Sequence, residues 1–477
     1  MPTIVNPTLA LPTELLHEII DIVASDFSDK ARLSKDLSSL ALVSRTSRNH
    51  VNQHRFKEVK ICNEDDIIHF FAFPQNAQNN PLSAYVRRLE IDIVDDTADS
   101  YLSRDNKMRQ VLDNAFQYNE HPYKHPSLTF IWDVKYKPAK YGVKGPLSWK
   151  NLHSSVQSAF RKILQNPALS TLKVYSLGAV PRDLLQLCKA TEYTFADVTF
   201  QTPSSHVEAE GILNPWQLHN ITSFTTNHST ALVNYFGVNS TDRGNLEPPQ
   251  FDQIQYLACC VCNDEEYNKT TELMQRAKAT RYLSLTILEP MVLLKPLPYN
   301  YLEKLDCLCI EYYGALRPHN QKYSENVRNI VNPFLPSIPP VRTLKLCFTI
   351  FSTNNHNTEL DRIFDYESHD FSPIEKFLAG SSPSTLDVIE IHIKVWATVR
   401  YAEEKLLENR LADEGPLYVQ TMFFPNLAEL ATRSTDSTPT LQIYVKPYLT
   451  DEFEDEQLSG DPCYGLNTGF SILRKSE

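Results

Sequence analysis

The sequence predicts a mixed α/β protein: a small helical unit near the N-terminal end, then a long body of short strands alternating with helices. Three observations carry this. Residues 11–56 repeat their apolar positions with helical spacing. From residue 85 onward, short segments alternate apolar and polar positions, the period-two signature of a half-buried strand. Between those segments lie others with helical spacing again.

The helical unit has a clear start. Pro12 suits a first helical turn, where a missing N–H costs no intrahelical bond. Glu14 suits the positive end of the helix dipole. Leu15, Ile19 and Val23 then form one row, and Leu16 with Ile20 an adjacent one, so the apolar stripe of this first helix is wide. A charged stretch, Ser25 to Lys35, separates it from a second helix expected over Asp36–Arg45. There Leu37, Leu40, Ala41 and Ser44 share a face, while Leu42 and Val43 point elsewhere. A third, more polar helix is expected from Arg48 towards Phe56. Three short helices cannot bury this much apolar surface among themselves, and a surplus of that kind marks a partner site or packs on the next domain.

Leu11-Pro12, Leu15, Ile19, Leu40 and the run Val43-Ser44-Arg45, closing on Phe56, resemble an F-box, in particular that of basidiomycete fungi. The resemblance covers residues 8 to 60. It implies a three-helix unit that docks on Skp1 and, through it, on a cullin. Leu11, Pro12, Leu15, Ile19, Leu40 and Val43 are the Skp1 contacts it implies. Two departures stand out: the stretch from Val23 to Leu37 is longer than in the shortest F-boxes, and Thr46, Ser47 and Arg48 stand where an aromatic often follows.

In the body, the strand pattern recurs at Val86–Ile93, Leu169–Val174, Ile254–Leu257, Tyr282–Ile287, Leu302–Leu308, Val341–Leu346, Val388–Ile393 and Phe424–Leu430. Helical segments are expected at Phe160–Leu164, Leu184–Leu187, Leu273–Arg276 and Ile374–Leu378. One strand plus one helix, repeated, resembles a leucine-rich repeat. Leu257, Leu283 and Leu305 follow at intervals of 26 and 22 residues, inside that repeat's window of about 20–29. Other intervals are longer and the usual turn Asn is missing, so the repeats are degenerate. Asp95–His121 and Asn354–His369 are the expected inserted loops. The organisation is therefore an F-box over 8–62, a linker over 63–84 with its hinge at Gln75–Pro81, an irregular leucine-rich-repeat-like α/β solenoid over 85–450, and an acidic tail over 451–477. A stacked solenoid exposes a long, shallow strand face, which suits a protein ligand.

Composition narrows the function. A net charge of −12 with no basic run argues against nucleic acid as a partner. Only 12 Gly in 477 residues disfavours phosphate-cradling loops and nucleophile elbows. The 9 Cys lie mostly in apolar runs, as reduced core thiols do. Cys259-Cys260-Val261-Cys262 has no second pair to complete a zinc site and reads as core. His50 and His54 stand at i, i+4 without the following Glu of a metalloprotease motif, and read as a solvated face. The first residues lack a signal-peptide pattern and no apolar run approaches the ~18 residues of a membrane span, so a cytoplasmic or nuclear protein with no membrane contact is expected. The sequence thus predicts a non-catalytic substrate-recognition subunit of an SCF-type ubiquitin ligase, with Skp1 and an unidentified target protein as partners and neither cofactor nor metal. The competing expectation is an interaction scaffold outside any ligase.

Overall fold

The structure is a computed structural model of the chain. It describes residues 11–25, 30–63, 65–67, 85–94, 106–115, 127–135, 147–181, 184–185, 188–201, 221–227, 229, 251, 253–288, 297, 299–316, 340–352, 360, 374–376, 386–398, 401–424 and 440–450. The hinge at 75–81, the strand expected beyond Phe424 and the acidic tail lie outside them. The chain divides into two compact units, Met1–Pro249 and Gln250–Glu477.

The first unit begins with three mutually packed helices, α1 (Thr13–Ser25), α2 (Lys30–Ala41) and α3 (Arg45–Arg55). Next come β1 (Glu58–Ile61), β2 (Arg88–Val94), α4 (Asn106–Ala115), β3 (Leu128–Lys135), β4 (Leu147–Ser148), α5 (Ser154–Leu164), β5 (Leu169–Tyr175), β6 (Leu177–Gly178), β7 (Glu192–Ala196) and β8 (Ser223–Asn227). Six of these strands form a parallel sheet in chain order, β1-β2-β3-β5-β7-β8. β4 and β6 make a separate parallel pair. Parallel neighbours need a crossover between them. α4 and α5, which pack on each other, lie in two of these crossovers.

The sheet register explains the core. Leu89, Phe130, Leu172, Tyr193 and Phe224 fall in one row, and Ile61, Ile91, Trp132, Val174 and Phe195 in the next on the same face. All ten are buried. Phe160 of α5 covers this face, its ring edge-on to Phe130, Trp132 and Trp149 at 5.1, 5.4 and 5.3 Å between centroids.

Two expectations for this unit need correction. The second helix runs over Lys30–Ala41, not Asp36–Arg45. Its start lies in the charged stretch read as a connection. It stops at Ala41 because Ser44 serves the next helix instead: the Ser44 hydroxyl accepts the Ser47 N–H at 3.0 Å as the N-cap of α3. Likewise, the expected loop at Asp95–His121 contains α4. Met108, Val111 and Leu112 are buried, and their spacing puts them on one helical face.

The second unit holds β9 (Tyr256–Val261), α6 (Asp264–Arg276), β10 (Tyr282–Leu288), β11 (Cys307–Leu316), β12 (Thr343–Ser352), β13 (Val388–Thr398), α7 (Tyr401–Asp413), α8 (Gly415–Phe423) and β14 (Thr440–Thr450). Its six strands are again parallel and in chain order. Leu257, Leu283, Leu308, Leu344 and Ile389 form one buried row, and Cys259, Leu285, Ile310, Leu346 and Ile391 the next. Burying each aliphatic side chain contributes about 1.5–3 kcal/mol. α6 packs on β9, and α7 and α8 pack on β14. Gly415 permits the last contact, since a Cβ there would come within 3.2 Å of Val445. Asn263 caps α6, its side-chain oxygen accepting the Glu266 N–H at 2.9 Å. β14 is the last strand in the order and carries Pro447, as an edge strand can.

Candidate docking surfaces

The three helices close around a small core of Ile20, Leu37, Ala41 and Val51, with Leu16, Val23, Ala24, Leu33 and Leu40 packed beside it. On α1 this uses Leu16 and Ile20, with Val23 beside them. Leu15 and Ile19 do not follow Val23 inward: with Ile22, at i, i+4 and i+7, they form an outer row that faces solvent together with Leu11. In the α2–α3 turn, Leu42 and Val43 also point outward. They are held there by Leu42 N–H to Ser39 O and Val43 N–H to Leu40 O, both 3.2 Å. Exposure of these six side chains runs from 41 % to 78 %. A helix needs one apolar row to stay packed, so the second row has no structural use within the three helices.

Each residue implied as an adaptor contact can now be placed. Leu11, Pro12, Leu15, Ile19 and Val43 are exposed, and Leu40 is half-buried against the helical core. Ile22 and Leu42 were missed. Ile22 belongs to the same helical row as Leu15 and Ile19, and that spacing was the signal. Asp21 was missed as well. It meets His50 and His54 across α1 and α3, a contact over about thirty residues that no local spacing announces.

The sheet face opposite each core is mixed: buried Ile131, Cys260, Cys309 and Cys347 stand among charged and polar side chains. In the first unit Lys60 pairs with Glu90 at 3.0 Å and with Asp92, Arg88 reaches Glu90 at 2.9 Å, and Thr171 donates to Glu192 at 3.0 Å. Burial raises the Glu90 carboxyl, but the hydrogen bonds from Arg88 and Lys60 outweigh it and hold the group below its ordinary range. In the second unit Lys345 pairs with Glu390 at 3.0 Å, His392 meets Glu390 at 2.9 Å, and Lys394 pairs with Glu311. His392 stacks on the exposed ring of Tyr444 at 4.6 Å. Burial likewise raises Glu390, and hydrogen bonds from His392 and Lys345 bring it below the usual value.

The cysteine cluster sits in β9. Cys259 and Cys260 are buried and Cys262 is half-buried. Burial pushes the Cys259 and Cys262 thiols up to about 12, so neither offers a thiolate at neutral pH. Among the described residues no helix is long and apolar enough to cross a membrane. No family model and no curated protein matches the chain.

Proposed function

We propose that this chain is a non-catalytic substrate-recognition subunit of an SCF-type ubiquitin ligase, with α1 to α3 acting as an F-box that docks on a Skp1-like adaptor. One observation carries the reading. Leu11, Leu15, Ile19 and Val43, four of the apolar positions of the F-box resemblance, are solvent-facing although the helices are packed without them, while the fifth, Leu40, is half-buried against the core. Burying a side chain of this size in a partner is worth about 1.5–3 kcal/mol, so a handful of them suffices for a stable interface.

The body is then the target-binding part, a leucine-rich-repeat-like solenoid. The strictly sequential, all-parallel strand order within each unit supports that reading, as do the Leu rows at matched register. The mixed sheet faces supply charge-paired and aromatic contacts for a protein ligand. The mechanism is proximity: a bound target is held at high effective concentration near a ubiquitin-charged enzyme attached elsewhere on the cullin.

Co-expression of the full chain with a Skp1-type adaptor, followed by size exclusion, tests the proposal. A stoichiometric complex is expected, and Leu15→Asp with Ile19→Asp abolishes it while circular dichroism stays unchanged. Absence of a complex with the unaltered chain contradicts the proposal. A complex that never recruits a cullin points to a scaffold outside the ligase.

A further inference from the structure

His50 and His54 stand one turn apart on α3, and the packing of α1 against α3 sets Asp21 opposite them. The Nε2 atoms of His50 and His54 each lie 2.7 Å from the same carboxylate oxygen, Oδ1 of Asp21. These three atoms all fall within 4.8 Å of one another. In a tetrahedral zinc site the ligand atoms sit about 3.3 Å apart, so small side-chain rotations open this cluster around an ion.

Three further features fit a metal. His17 stacks on the His50 ring, with centroids 4.0 Å apart and planes 6° from parallel, which fixes the plane in which Nε2 points. The Asp21 carboxylate presents one oxygen to both imidazoles, the mixed oxygen and nitrogen donor set of many zinc sites. The Asp21 side chain is 54 % exposed and that of His54 30 %, which leaves solvent access for a water in a fourth position. Two imidazoles and a carboxylate suit zinc(II) and its transition-metal neighbours, whereas calcium and magnesium demand all-oxygen shells.

We propose that Asp21, His50 and His54 bind one divalent transition-metal ion, which ties α1 to α3. The site is independent of the adaptor-docking reading, since none of its ligands belongs to the exposed apolar set. An ion there braces the helix that carries Leu15, Ile19 and Ile22.

Cobalt(II) titration of the full chain, followed in the visible spectrum, tests the site. A saturable one-to-one signal is expected, with the ligand-field bands of nitrogen and oxygen ligation and no thiolate charge-transfer band. Zinc(II) displaces it and raises the thermal midpoint of the unaltered chain. His54→Ala and Asp21→Asn, at a half-buried and an exposed side chain, weaken binding by about tenfold or more, with circular dichroism as the check on folding. His50→Ala does the same where it folds. Lack of saturable binding, a thiolate band, or equal binding by the His54→Ala and Asp21→Asn variants overturns the proposal.

Discussion

Phe160 shows what one side chain does in this protein. It is a single ring on α5, yet it meets Phe130, Trp132 and Trp149 edge-on. It thereby fastens a crossover helix to β3 and to the turn that follows β4. Truncation leaves a cavity that these rigid rings fill poorly, so Phe160→Ala is expected to cost about 3–5 kcal/mol, read as a lowered urea midpoint. Glu390 is a different kind of residue. Its carboxyl is raised by burial but lowered more by His392 and Lys345, so its folded-state value lies below its unfolded one. A group depressed in this way contributes stability above its unfolded value, near the ordinary Glu value of about 4.3, and loses it as pH falls through the folded one. The unaltered protein is therefore expected to lose stability on acidification below that value more steeply than Glu390→Gln. Equal slopes for the two proteins in urea titrations across that range would contradict the pairing.

At the scale of elements, the readable signals were the local ones. β2, β5, β10 and β13 lie where aliphatic residues alternate, and α1 where two apolar rows run together, whereas β9, expected over Ile254–Leu257, forms over Tyr256–Val261. The strands that escaped had a different composition. β8 reads Ser-Phe-Thr-Thr-Asn, and β7 places Glu192 and Thr194 between its aromatics, so neither shows aliphatic alternation. β3 buries residues on both faces, Ile131 and Asp133 as well as Phe130 and Trp132, which erases the period of two. β1 is only four residues long, and Pro447 interrupts the pattern of β14. α4 escaped because three buried apolar residues are diluted in a polar stretch. The helix boundaries at Ala41 and Ser44 depended on a choice between continuing α2 and capping α3. The capping hydrogen bond decides it, and spacing alone does not.

At the scale of the molecule, the mixed α/β class follows from the alternation of strand and helix patterns along the chain, and each unit carries a parallel sheet in chain order. The candidate surfaces divide differently. The exposed row of α1 was visible as surplus apolar residues, because amphipathic spacing is a local property. The mixed sheet faces and the Asp21–His50–His54 cluster depend on registers and packing across distant segments, which no single stretch of sequence encodes. The exposed row of α1 and the α2–α3 turn are the proposed docking surface. Hydrogen exchange of the full chain, with and without a Skp1-type adaptor, tests it most directly. Slowed exchange over Thr13–Ser25 and at Leu42 and Val43 is expected on adding the adaptor, with the strands of both sheets unchanged. Slowing confined to the strands, or none anywhere, would contradict it.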